Sequence, residues 1–251
     1  MPLCEICVEG VDGAVAAAAA GAGRIELCAS LMEGGITPSL GTLRATLAAV
    51  SVPVFAMVRP RGGDFLYSNR EFASMLDDVA GFREAGAAGV VFGCLTADGD
   101  IDQPRTLALT AAARPMGVTV HRAFDMARDL EAALDALIVC GVDRVLTTGA
   151  AVTGLAGLAV LRRLQLRAAG RIVIMGCGAL RPDNIGIVRR EAGLSELHFS
   201  AQVAVPSSMN FQREGLAMGT VDAAREFRHV GTDIALVRAT IAAAGTDCPG
   251  A

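Results

Sequence analysis

Runs of consecutive apolar residues recur along the chain: LCEICV (3–8), RIELC (24–28), PVFAMVR (53–59), GVVFG (89–93), VTVHR (118–122), RVLTT (144–148), IVIM (172–175) and LHFS (197–200). Each has the length and the continuous apolar character of a strand buried on both faces, as in a parallel sheet. Between them lie Ala- and Leu-rich stretches of helical character, several closing on a glycine just ahead of the next run, at Gly21, Gly86, Gly141, Gly170 and Gly193. Those glycines read as left-handed helix ends. The runs start roughly 20 to 35 residues apart, the span a strand–helix–strand crossover needs. Eight such units predict a TIM (β/α)8 barrel, an α/β fold of parallel strands. An open doubly wound sheet is the rival architecture, but no G-x-G-x-x-G follows the first run. The stretch VDAAREFRHVGTDIALVRATIAA, from about 220 to 244, reads as a closing helix outside the sheet.

Composition narrows this picture. A chain of 251 residues with no linker-like or low-complexity stretch suits one domain over 1–251. The opening MPLCEICVEG has no basic region, and the Ala-rich run at 14–20 is too short to span a bilayer, so a cytoplasmic protein with no membrane partner is expected. A net charge of -4 with scattered basic residues argues against nucleic acid. Small molecules or ions are better candidate partners, and a homo-oligomer is compatible with the sequence. Every one of the 22 basic residues is arginine. Without lysine there is no Schiff-base aldolase, no pyridoxal-phosphate enzyme and no Walker-type nucleotide site. Seven cysteines, an odd number, suit reduced thiols better than a disulfide framework.

In a barrel, the residues that end each strand surround one mouth, where such folds keep their chemistry. That rule gathers Glu26 and Cys28 from the second run, Arg59, Arg61 and Asp64 from the third, His121, Arg122 and Asp125 from the fifth, and His198 and Ser200 from the eighth. Two of three histidines thus meet arginines and carboxylates in one place. In a strand side chains alternate, so Cys4 and Cys7 of CEIC point opposite ways and do not form a CxxC site. The same alternation places Cys7 and Cys28 face to face on neighbouring strands near the mouth, above Glu5 and Glu26, a thiolate pair suited to a soft ion such as Cu(I). The plain alternative is two small hydrophobes in a core. The turn at IMGCGALRPDNI places Gly176 and Gly178 near Ser200, where barrels commonly hold phosphate. Ser39 is placed to cap the second helix.

The words RIELCASLMEGGITPSLG, RPRGGDFLYS, VTVHRAFDM, RVLTTG and MNFQREGLAMG, in this order and spacing, resemble the CutC family over residues 3 to about 219. That resemblance implies a TIM barrel, a cytoplasmic location, a part in copper homeostasis, and Cu(I) held by Cys7 and Cys28. Two readings follow. In one, the chain is a copper-binding homeostasis protein. In the other it is an acid–base enzyme on a small anionic or phosphorylated substrate. There His121 is oriented by Asp125, Arg59 and Arg61 clamp the anion, His198 is a second proton carrier, and Gly176, Gly178 and Ser200 bind phosphate. A hard divalent metal on His121, His198, Glu26 and Asp125 has no H-x-x-x-H or H-x-D spacing to support it.

Overall fold

A computed structural model describes residues 1–213, 215, 216, 218 and 225–246. Strands β1 (Leu3–Glu9), β2 (Arg24–Cys28), β3 (Val54–Met57), β4 (Gly89–Phe92), β5 (Gly117–Val120), β6 (Arg144–Thr147), β7 (Val173–Gly176) and β8 (Glu196–Phe199) close into a parallel barrel in sequence order. Pairing of β1 with β8 completes the ring, with Leu3 opposite Glu196 and Glu5 opposite His198. This is the TIM barrel the apolar runs predict.

Helices α1 (Gly10–Ala19), α2 (Leu40–Ala49), α3 (Asn69–Ala85), α4 (Gln103–Ala113), α5 (Leu130–Val139), α6 (Leu158–Ala168) and α7 (Ile185–Ala192) each follow one strand. Several begin at a side chain that satisfies the first free N–H groups of the helix. Ser39 accepts from the Thr42 amide as expected, Ser68 forms a reciprocal cap with Glu71, and Asp102 and Asp129 cap α4 and α5. All five predicted glycines have positive φ, but only Gly86 and Gly193 are themselves the capping residue. The other three stand one position further on, because Ala20, Cys140 and Ala169 close their helices first.

Outward-facing strand residues such as Ile6, Val8, Ile25, Leu27, Val90 and Val118 pack against the helices in one large apolar core. Inside the ring the filling is different. Two smaller apolar groups, Cys7–Cys28–Phe55–Met57–Val91 and Leu146–Met175–Cys177, stand apart from the outer core. Barrel interiors are usually filled by Val, Ile and Leu; here charged side chains share that space.

One expectation is corrected at the C-terminal end. Where a helix from about 220 was expected, Arg228–Thr232 forms strand β10, antiparallel to β9 (Gln202–Pro206), and the helix α8 is confined to Ile234–Gly245. Positions 220–224 lie outside the described residues. The segment RHVGT carries a β-branched pair and a glycine, poor helix formers, and β9 offers it a ladder in which His229 faces Val205. Asp233 caps α8 by accepting from the Leu236 amide, which sets where the helix can start.

Candidate functional site at the barrel mouth

Four arms of charge fill the lower barrel. Arg24 donates from Nε to Glu5 and from Nη2 to Glu196 (2.5 Å), and Arg144 reaches the same Glu196 oxygen at 3.2 Å. Both guanidiniums lie over the Phe55 ring, their Cζ atoms 4.9 and 5.0 Å from its centroid. That ring has room because β4 and β5 begin with glycines: a Cβ on Gly89 would collide with Phe55, and one on Gly117 would come within 2.8 Å. A pair of cation–π contacts on one ring needs both a flat ring and empty space beside it.

Above this layer stands His198. Its Nδ1 is 2.7 Å from Glu5 Oε1 and its Nε2 is 3.8 Å from Glu26 Oε2. Burial pushes the Glu5 carboxyl up, yet the hydrogen bond from His198 and the charge of Arg24 outweigh it and hold the group down at about 2. Burial pulls His198 down, while the charge of Glu26 and the contacts with Cys7 and Glu5 hold it well above its ordinary value. Glu5 therefore fixes the imidazole from one side and leaves Nε2 facing the cavity floor.

The thiols of Cys7 and Cys28 approach to 3.9 Å on neighbouring strands, as side-chain alternation predicts, and Cys28 Sγ lies 3.6 Å from Glu26 Oε2. Cys4, by contrast, packs into the outer core. One donor atom from each of Cys7, Glu26 and His198 fits within 4.8 Å of the others. Glu26 Oε1 is buried and has no hydrogen-bond partner among the described residues. The contact with Cys28, then burial, then the charge of Glu26, raise Cys7 well above the usual thiol range. For Cys28 the contact with Cys7 lowers it, but burial and Glu26 win and push it up to about 11. Both are thiols at neutral pH until something replaces the proton.

Over this floor opens a cavity of about 690 Å³ whose lining includes Cys7, Glu26, Arg59, Asp64, His121 and His198. Most of the residues gathered from strand ends therefore meet in one bowl, but several differ from their expected parts. Asp125 does not touch His121. Its carboxylate is buried and accepts from the Thr147 and Thr148 hydroxyls, the Thr148 and Ala150 amides and Arg122 Nε, so it braces the loop after β6. His121 Nδ1 accepts from the Ala123 amide at 3.2 Å instead. Arg61 turns away from the cavity onto Glu71 and Asp64. Arg59 stays in it, donating to the carbonyls of Glu33, Gly35 and Gly63.

On the Cβ side of the glycines after β7 the space is already occupied. A Cβ on Gly176 would meet Leu194 Cδ1 at 2.5 Å, and the space beside Gly178 is taken by Thr148 and by Gly154, whose amide donates to the Gly178 carbonyl at 2.9 Å. These glycines serve packing, and the Ser200 carbonyl accepts from Arg181. Alternation sets Glu5 below the thiols, but its interior partners Arg24, Arg144 and Glu196 are not among the expected site residues, although a charge at every second position of an apolar strand, as in R-I-E-L-C, is their signal.

Eight parallel strands closed in order, with a polar and thiol-bearing floor at their carboxyl ends, define a TIM-barrel protein with a site at its mouth. The pattern of the CutC family matches residues 2–203. A CutC family protein of Mesorhizobium japonicum is 58% identical over 244 residues, covering 97% of this chain and 95% of that one. The human copper homeostasis protein cutC homolog is 45% identical over 236 residues, 94% of this chain and 86% of that one. The crystal structure of a copper homeostasis protein CutC from Streptococcus agalactiae superposes with a TM-score of 0.75 at 30% identity, covering 79% of this chain and 98% of that one. The chain belongs to the CutC family. An aldolase at 15% identity and TM-score 0.57, covering 78% of this chain and 88% of its own, shares the fold alone. Among the described residues no helix is long and apolar enough to cross a membrane.

Proposed function

We propose that this protein is a cytoplasmic copper-handling protein that takes Cu(I) on the Cys7 and Cys28 sulfurs at the floor of the barrel mouth. The observation that carries the reading is the 3.9 Å approach of two buried thiols beside His198 and Glu26. Soft sulfur donors select Cu(I) over hard ions, and here Cys7 lines the cavity with Cys28 buried directly behind it. With metal–sulfur bonds of about 2.3 Å, sulfurs this far apart subtend a bent angle rather than a straight one. A bent pair leaves room for a third donor, and His198, its ring held by Glu5, offers a nitrogen within 4.8 Å of the Cys7 donor. Binding displaces the thiol protons and, where His198 is the third donor, the proton on its Nε2.

The test is titration of reduced protein with Cu(I) against a competing chelator. Wild type takes up one ion per chain, and the Cys7→Ser/Cys28→Ser double variant loses that uptake. Sub-micromolar binding retained by the folded double variant contradicts the reading. The alternative, acid–base catalysis on a phosphorylated substrate, is weakened by the separation of Asp125 from His121 and by the outward turn of Arg61.

A further inference from the structure

The cavity is far larger than an ion needs, and its upper part holds two unanswered groups. The first is His121, 4% exposed, on the wall of the cavity. Because Nδ1 accepts from the Ala123 amide, the hydrogen of the neutral ring sits on Nε2, and Nε2 has no hydrogen-bond partner among the described residues. Burial, then the nearby charge of Arg59, hold His121 down at about 3, so the ring is neutral and its Nε2–H is a donor. The second is Arg59 itself, 7% exposed. Its guanidinium donates to three backbone carbonyls and lies 5.2 Å over the Phe65 ring, and among the described residues no carboxylate pairs with it. Asp64, the nearest acidic residue in sequence, gives its carboxylate to Arg61 and the Leu66 amide. A buried guanidinium without a counter-ion favours any anion that can reach it.

The shape of that anion follows from the donors and the walls. One neutral N–H beside one planar guanidinium suits a planar carboxylate. The cavity lining is mixed, with Glu33, Asp64 and Thr96 on it, but Met57, Phe65, Leu95 and Leu146 give it apolar walls suited to an apolar remainder of the ligand. A volume of about 690 Å³ lies in the ordinary range for small-molecule sites. We infer that the mouth binds a small organic acid, with its carboxylate received by His121 Nε2–H and Arg59 and its apolar body by Met57, Phe65, Leu95 and Leu146. Its polar groups, His121 and Arg59, are not those of the thiol floor, although Met57 packs in one cluster with Cys7 and Cys28, and it does not depend on copper.

Calorimetric titration of the copper-free full chain with phenylacetate and with hexanoate, each beside its neutral amide, tests it. The acids bind at least about tenfold tighter than the amides, since charge-assisted bonds are roughly twice as strong as neutral ones. His121→Phe weakens acid binding by about tenfold, the effect of one lost hydrogen bond. Leu146→Trp, which fills the cavity from another strand and leaves both polar groups in place, abolishes it. Amides that bind as well as acids, affinities unmoved in both variants, or no binding of either acid up to roughly 10 mM overturn the inference.

Discussion

His121 shows how one residue's surroundings decide its chemistry. A histidine at a strand end beside an aspartate invites the reading of a proton carrier, yet Asp125 is fully engaged by the loop after β6 and the imidazole is buried next to a guanidinium. Its folded value near 3 lies below the ordinary 6.5. Between those two values the unfolded chain binds the extra proton, so stability is full above about pH 6.5 and is lost as pH falls toward 3. The slope from this group alone approaches 1.4 kcal/mol per pH unit, roughly. Urea unfolding at pH 5 to 7 of wild type and His121→Phe checks it: the variant shows the flatter profile, and parallel profiles contradict the assignment. Glu5 makes the opposite case. Replacing it by Gln leaves buried Arg24 with Glu196 alone and His198 with only the more distant Glu26, which costs up to about 3 kcal/mol, read as a lowered denaturation midpoint.

At the level of elements, the strands were legible because parallel strands buried on both faces are written as unbroken apolar runs. The pairing of Cys7 with Cys28 was legible for an equally simple reason, since alternation and neighbouring strands leave few places for them. What was not legible are contacts that depend on distant parts of the chain meeting. Arg24 joins Glu5 and Glu196 across 19 and 172 positions, and no local pattern reports such a bond. The β9–β10 hairpin escaped for a related cause: its second strand is embedded among helix formers, and only the partner ladder makes it extended. Glycines at the starts of β4 and β5 read as strand weakeners, and their purpose appears only with Phe55 in place. Gly89→Ala should therefore destabilise by about 1–3 kcal/mol through overpacking, and Phe55→Leu in the same chain should recover part of that loss. A Gly89→Ala variant as stable as wild type contradicts this account of the interior.

For the whole molecule, the division of labour is between two shells. The outer shell of apolar strand faces and helices holds the ring closed, and the ring's interior is thereby freed from the ordinary task of packing Val, Ile and Leu. Its lower part is an ion network, its middle a thiol, imidazole and carboxyl floor, and its top an open bowl. The network keeps Glu5 ionised, Glu5 holds the His198 ring, and His198 and Glu26 flank the sulfurs. X-ray absorption at the copper edge of the reduced chain, loaded with one Cu(I), tests this arrangement most directly. Two sulfur scatterers and one nitrogen are predicted around the metal, with the nitrogen lost in His198→Gln and the sulfurs in Cys7→Ser/Cys28→Ser. A copper shell without sulfur, or one unchanged by the double substitution, would contradict the account.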